Sequence, residues 1–441
     1  MSRKKVNLHY KLLILLAFIT LIVSCGAPIT VEEDDTNYYG SYTLQDFEGA
    51  FSKVNRVLSD TKETDKYLLL LERAKIAYAS GRYDVAIDDF QEAEHQFMNL
   101  EGVISISEEA TALWLNDTLK NYQAEVYEQL MINPYIALCY LGKGDIDEAI
   151  VERNRSLVRI NQYLESNSLT QFENPFARYL VAVLYEMEGN KDDAIIEYKK
   201  IINHFPNYAY VENDIKAIEG DDTKPINKVA KDDKCDDKAT DKENPQENLA
   251  EDSELIIFFE IGNVPYKTPV EYKGYEGDIW LSFAYADYRV IDTNVAGISA
   301  SIDNGEIHYS QLIYDLESVV LKNYEKNKSK IISKISTKMI LQGVGQVAGK
   351  AMQESDNALI AGAGFVLDIG SKVSVAADKA DERCWRTLPK DIYYTRIRNI
   401  KEGEHNINIS VNTKYEKTLS KTLKLNFTKG KKRIVYYCFP Q

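Results

Sequence analysis

Catalytic vocabulary is what this chain lacks first. Its 441 residues include five histidines, His9, His95, His204, His308 and His405. None falls in H-E-x-x-H or beside a cysteine at metal-ligand spacing, and G-x-S-x-G is missing too. Carboxylates are plentiful, but the pattern places no pair of them at a cleft. The chain therefore reads as a non-enzyme needing no metal and no cofactor. Five cysteines, Cys25, Cys139, Cys235, Cys384 and Cys438, are scattered with no C-x-x-C, so they imply no framework and no redox motif. Cys139 falls in a helix interior and reads as a small buried hydrophobe, whereas Cys384 and Cys438 share a domain and could pair. Positive charge is also short: 53 basic against 68 acidic residues leave a net charge of −15. That balance suits a phosphate backbone poorly, so nucleic acid is not an expected partner.

What is present begins at the N-terminus. Arg3, Lys4, Lys5 and Lys11 precede the apolar run Leu12–Val23, which is shorter than the ~20 residues of a membrane span. Ile22-Val23-Ser24-Cys25 closes the run and resembles the bacterial lipobox. The resemblance implies cleavage between Ser24 and Cys25, diacylglycerol on the Cys25 thiol, and acylation of the new amino terminus. The competing reading is an ordinary secretory signal with an incidental cysteine. Gly26, rather than an aspartate, follows Cys25, which directs the expectation to the outer membrane. Residues 1–24 are then a signal peptide. Residues 25–43, with Glu32-Glu33-Asp34-Asp35, form a solvated tether.

Residues 44–219 carry helical periodicity punctuated by glycines. In Asn174–Pro206, Ala182 and Tyr185 precede Gly189 and Ala194 and Tyr198 follow it, the small-and-large spacing of a tetratricopeptide helical hairpin. Leu70–Ala93 around Gly81 and Pro134–Ile150 around Gly144 repeat the pattern. The glycines are 63 and 45 residues apart, where a uniform array would show about 34. Extra helix is thus inserted, in Ser105–Met131 (with Trp114) and at the end of Arg153–Ser166. An unrelated helical bundle is the alternative. Stacked hairpins make a concave groove, and here first-helix positions Lys75, Tyr78, Leu138, Leu141, Tyr179, Val183 and Glu186 would line it. That lining suits a peptide or protein segment, or this chain's own C-terminal domain.

Residues 220–252 alternate Asp, Lys, Glu and Asn and read as a disordered linker. Beyond it, residues 253–441 form an α+β domain with a mostly antiparallel sheet. Strands are expected at Leu255–Val264, Asp278–Val290, Asn294–Ile302, Ile392–Ile400, His405–Val411, Thr422–Phe427 and Arg433–Phe439, with a helix from about Tyr309 to Ser336. The Gly/Ala-rich runs Met339–Met352 and Ala358–Ala377 fail the phosphate-loop spacing and read as two helices packing through small faces. A membrane-inserted hairpin is the alternative. Trp385-Arg386-Thr387-Leu388-Pro389 reads as a structural corner, with Trp385 buried and Arg386 paired to an acid, or as a surface recognition patch.

The order of lipobox, irregular hairpins, Gly/Ala-rich region, Asp381-x-Arg383-x-Trp385-Arg386-Thr387-Leu388-Pro389 and Gly403-Glu404-His405 resembles uncharacterised bacterial tetratricopeptide lipoproteins. Cys384 stands where a serine or similar small residue is expected, so a disulfide there would be peculiar to this protein. The resemblance implies a cell-envelope location and no established activity. The leading expectation is a lipid-anchored scaffold whose partner is an envelope protein or peptide and whose membrane contact is the lipid. The alternatives are a component entering an outer-membrane assembly through Met339–Ala377 and a cryptic envelope hydrolase.

Overall fold

The computed structural model describes residues 36–101, 121–167, 173–220, 253–276, 279–354, 374–376, 380–415 and 418–440. Ser24 and Cys25, residues 25–35 of the tether, Trp114, segment 221–252 with Cys235, and all but Ser374–Ala376 of the second Gly/Ala-rich run lie outside them. The first half is helical: α1 Tyr38–Thr43, α2 Phe47–Ser59, α3 Glu63–Ala79, α4 Tyr83–Glu101, α5 Val126–Lys143, α6 Ile146–Asn167, α7 Pro175–Glu188 and α8 Lys191–His204. A 3-10 turn, Pro206–Val211, leads to α9 Glu212–Glu219. Residues 38–43, assigned from sequence to the tether, instead form α1, because Tyr42 has a buried place beneath the C-terminal half.

The hairpins α3/α4, α5/α6 and α7/α8 turn at Gly81, Gly144 and Gly189, with φ of +77°, +82° and +90°. A Cβ at any of the three would meet nothing within 4 Å. Glycine is needed there for its left-handed backbone, not for space. Asn174 starts α7 by accepting from the Ala177 amide at 2.9 Å, with Pro175 in the first turn, where its missing N–H costs nothing. By contrast, α5 starts at Val126 rather than at Pro134. A reciprocal capping box between Glu125 and Glu128 nucleates it eight residues early, and the proline is carried inside the helix.

The second half holds β1 Ser253–Ile261, β2 Tyr266–Glu276, β3 Ile279–Arg289, β4 Val295–Ile302, β5 Ile307–Tyr309, β6 Gln311–Asp315, α10 Leu316–Glu354, β7 Ser374–Ala376, β8 Asp391–Ile400, β9 Gly403–Thr413, β10 Thr418–Phe427 and β11 Lys432–Phe439. They form sheets ordered β11-β1-β8-β6, β10-β9-β4-β5 and β2-β3-β7. Pairing is antiparallel except for β1 with β11 and β3 with β7. The fold is α+β, a helical hairpin array followed by mostly antiparallel sheets. The helix expected from Tyr309 begins at Leu316 instead. Leu312 belongs to a strand paired with β8, and Asp315 caps the helix through the Ser318 amide at 2.9 Å. Met339–Met352 continues α10 rather than forming a helix of its own, and Ser374–Ala376 is strand.

Strand β1 explains the layering. Leu255, Ile257, Phe259 and Ile261 face the second sheet with Ile298, Ile407, Ile409 and Val411. Ile256 and Phe258 face the opposite way, into a cluster with Tyr78, Tyr135, Phe176 and Tyr179 of the helices. A strand covered on both sides needs a near-continuous apolar run, which LIIFFEI supplies with Glu260 as its one polar residue. The helical array and the strands therefore share one core, within a compact unit spanning Tyr38–Gln441.

Candidate functional site: the concave face and the segment that fills it

The first helices of the hairpins are buried around most of their circumference. In α5 every residue from Tyr127 to Cys139 is buried, and in α7 every residue from Pro175 to Leu184. A hairpin array standing alone would leave the groove side of these helices in water. Here the sheet β11-β1-β8-β6 lies against it. Of the residues proposed from sequence to line a groove, Lys75, Tyr78, Tyr179 and Val183 are fully buried and Leu138 nearly so. Leu141 packs partly buried at the edge of the core, and the Glu186 side chain is 5% exposed.

Each tyrosine of this face meets an aromatic ring from the strands. Tyr78 stacks on Tyr436 at 3.9 Å between centroids, and Tyr179 lies 4.4 Å from Tyr394 and 6.0 Å from Phe258. Lys75 Nζ reaches Glu260 Oε2 at 2.7 Å and Tyr42 Oη at 3.3 Å, between the rings of Tyr78 and Tyr135, each 5.0 Å away. Burial opposes the lysine's charge, but Cys438, Glu260 and Tyr42 around it hold its pKa above the ordinary value. At the other end Arg396 bonds Glu186 at 2.6 Å and Glu254 at 2.6 Å, and Lys432 contacts both carboxylates. Asp214 of α9 accepts from Tyr179 at 2.9 Å, Tyr394 at 3.1 Å and Arg398 at 2.5 Å. Burial pushes the Glu186 carboxyl up, yet Arg396 and then Lys432 outweigh it and bring the pKa down to about 2.

Beside the first of these ends, sharing Tyr42 with Lys75, lies the segment 380–390. Glu72 of α3 accepts the backbone amides of Arg386 at 2.7 Å and Thr387 at 3.2 Å, and Glu128 of α5 accepts that of Trp385 at 2.8 Å. The Tyr42 hydroxyl donates to the Thr387 carbonyl at 3.2 Å. Trp385 is fully buried against Phe90 and Tyr135, and its indole N–H donates to Thr387 Oγ1 at 3.0 Å. The Arg386 guanidinium lies 3.9 Å from the Tyr39 ring and 4.9 Å from that of Tyr266. Arg383 joins Asp381 at 2.8 Å and Asp65 of α3 at 3.1 Å, and Pro389 is buried. Burial drives the Glu72 pKa up to about 7 despite its bonds to Thr387 and Arg386, and raises Glu128 in the same way.

This geometry holds a turn of the chain by its backbone amides, through carboxylates from successive hairpins. The sequence pattern singled out Lys75, Tyr78, Tyr179, Glu186 and Trp385–Pro389 but not Glu72, Glu128, Glu260, Asp214 or Arg396, with which they are brought together. One signal was available: Glu72 and Glu260 interrupt the apolar runs LLLLE and LIIFFEI. Cys384 and Cys438 are both free and buried rather than paired. Cys438 Sγ donates instead to Glu260 Oε2 at 2.7 Å.

Residues 176–208 match the tetratricopeptide repeat family, so the α7/α8 hairpin belongs to a tetratricopeptide repeat region. Among solved structures, a thermophilic TPR protein of Thermus thermophilus aligns at 15% identity. The alignment covers 43% of this chain and 99% of that one, with a TM-score of 0.20. No curated protein matches the chain. Repeats of this kind are protein-interaction modules. Among the described residues no helix is long and apolar enough to cross a membrane, and no group of three His, Cys, Asp or Glu side chains is placed to hold a metal ion.

Proposed function

We propose that this protein is a non-catalytic, lipid-anchored scaffold of the bacterial cell envelope, held at the outer membrane through Cys25, whose repeat region clamps its own C-terminal domain. The observation that carries the reading is the occupied concave face: Glu72 and Glu128 grip residues 385–387 where a repeat array would otherwise grip a partner. Partner proteins then engage the outward surfaces of the assembled body. The lipobox and the repeat match support the anchor and the scaffold respectively.

Two measurements test it. Metabolic labelling with a palmitate analogue should mark the wild-type chain and spare Cys25→Ala; label retained by the variant would remove the anchor from the proposal. Photo-crosslinking residues placed at Val158 and Ile196, which are 67% and 49% exposed on the helices, should trap a defined envelope protein in living cells. If neither these positions nor others on the outward faces yield an adduct, the scaffold reading fails.

A further inference from the structure

The second sheet, β10-β9-β4-β5, has two unlike faces. Ile298, Ala300, Ile407, Ile409 and Val411 point into the sandwich core, so the alternating positions point outward. Strand register sets these outward residues in rows across the sheet. One row runs from Tyr309 to Ser410 and Ser420, with Ser299 between them buried, and the next is Ile307, Ser301, Asn408 and Thr422. Asn406 and Asn412 flank them on β9. The amides are held in place: Thr422 Oγ1 donates to Asn408 Oδ1 at 2.8 Å, Asn408 Nδ2 to Asn304 Oδ1 at 3.0 Å, and Thr418 Oγ1 to Asn412 Oδ1 at 2.9 Å. At the β5 edge, Tyr309 is 67% and Ile307 56% exposed.

Charge is nearly missing from this face, although 27% of the chain is charged. Lys424 and Glu404 stand at one end, 3.6 Å apart and mutually compensated. An anionic or cationic polymer finds no counter-charge on the central rows. A neutral polyhydroxyl chain finds what it needs. Amides and hydroxyls both donate and accept hydrogen bonds, their fixed orientation lowers the entropic cost of binding, and an exposed tyrosine offers a flat ring for the apolar face of a sugar.

We infer that the outward face of the sheet β10-β9-β4-β5 binds a neutral glycan, with the Asn/Ser/Thr rows bonding its hydroxyls and Tyr309 stacking on a sugar ring. This stands independently of the lipid anchor and of the filled concave face.

The test is affinity electrophoresis of the chain from Cys25 onward in native gels containing a soluble β-glucan, a mannan or a xylan, with dextran sulfate as an anionic comparison. At least one neutral polysaccharide should retard the protein. Tyr309→Ala and Thr422→Lys, both at exposed positions, should each weaken that retardation about tenfold or more at unchanged melting temperature. Three outcomes overturn the inference: no retardation by any neutral polysaccharide, retardation by dextran sulfate alone, or retardation that both variants retain in full.

Discussion

Glu72 and Glu186 lie on the same concave face and respond to burial in opposite ways. Glu72 is met by backbone amides, which carry only partial charge, so desolvation prevails and its pKa rises to about 7. Glu186 is met by Arg396 and Lys432, whose full charges prevail and lower its pKa to about 2. The signs for stability follow. A raised folded-state pKa contributes stability that is fully present below the unfolded value of about 4.5 and lost as pH rises through about 7. A depressed one contributes stability present above about 4.5 and lost as pH falls through about 2. Glu72→Gln should thus be less stable than wild type, with one acceptor gone, but should lose less stability between about pH 5 and about pH 8. Asp391, beside Asp315 and also raised to about 7, keeps part of the slope; urea midpoints across this range read it. Arg396→Met should cost up to about 3–5 kcal/mol near neutral pH, because only Lys432 is left to face Glu186, and only Lys432 and Arg398 to face Glu254. It should also flatten the acid limb of the stability profile, which a denaturation series down to low pH would show. Sequence reading had placed Glu186 on this face, yet a carboxylate in water and one against a buried guanidinium look alike in a string of letters.

At the scale of elements, hairpin turns were legible and strand partners were not. Gly189 marks a left-handed residue because no L side chain is comfortable at φ +90°. With nothing within 4 Å of an added Cβ, Gly189→Ala carries backbone strain alone and should lower stability by about 1–2 kcal/mol, measurable as a fall in melting temperature. Strand β1 was recognised from its apolar run, but β2 was missed. Residues 266–276 contain Pro269 and Gly274, which weaken a strand pattern, and only pairing with β3 makes them one. The two faces of β1 offer a further check. Phe258→Ala and Phe259→Ala should each cost about 3–5 kcal/mol. Hydrogen exchange should then speed up in α7 for the first and in β9 for the second, since Phe258 packs on Phe176 and Tyr179 and Phe259 on the second sheet.

Within the unit Tyr38–Gln441 a repeat array serves as half of a core. Helices and strands should therefore unfold in a single transition followed identically by fluorescence and by far-ultraviolet dichroism; two separated transitions would contradict the shared core. A chain ended at Gly220 would uncover Tyr78, Tyr135, Phe176 and Tyr179 together. It should self-associate or bind a hydrophobic dye, as size exclusion and dye fluorescence would show.

The sequence alone determined the hairpins, their glycine turns, the apolar run of β1 and the placing of a tryptophan-centred motif near the C-terminus. Each of these is a local matter of periodicity, backbone geometry or composition. It also named Lys75, Tyr78, Tyr179 and Glu186, which the structure places against the strands. What occupies the concave face was decided only by the tertiary structure. A tyrosine that lines an open groove and one that packs under a sheet have the same spacing on a helix, because burial against a distant strand leaves no mark on local pattern. The carboxylates Glu72 and Glu128 became readers of residues 385–387 only once chain segments more than 250 residues apart were brought within hydrogen-bond reach.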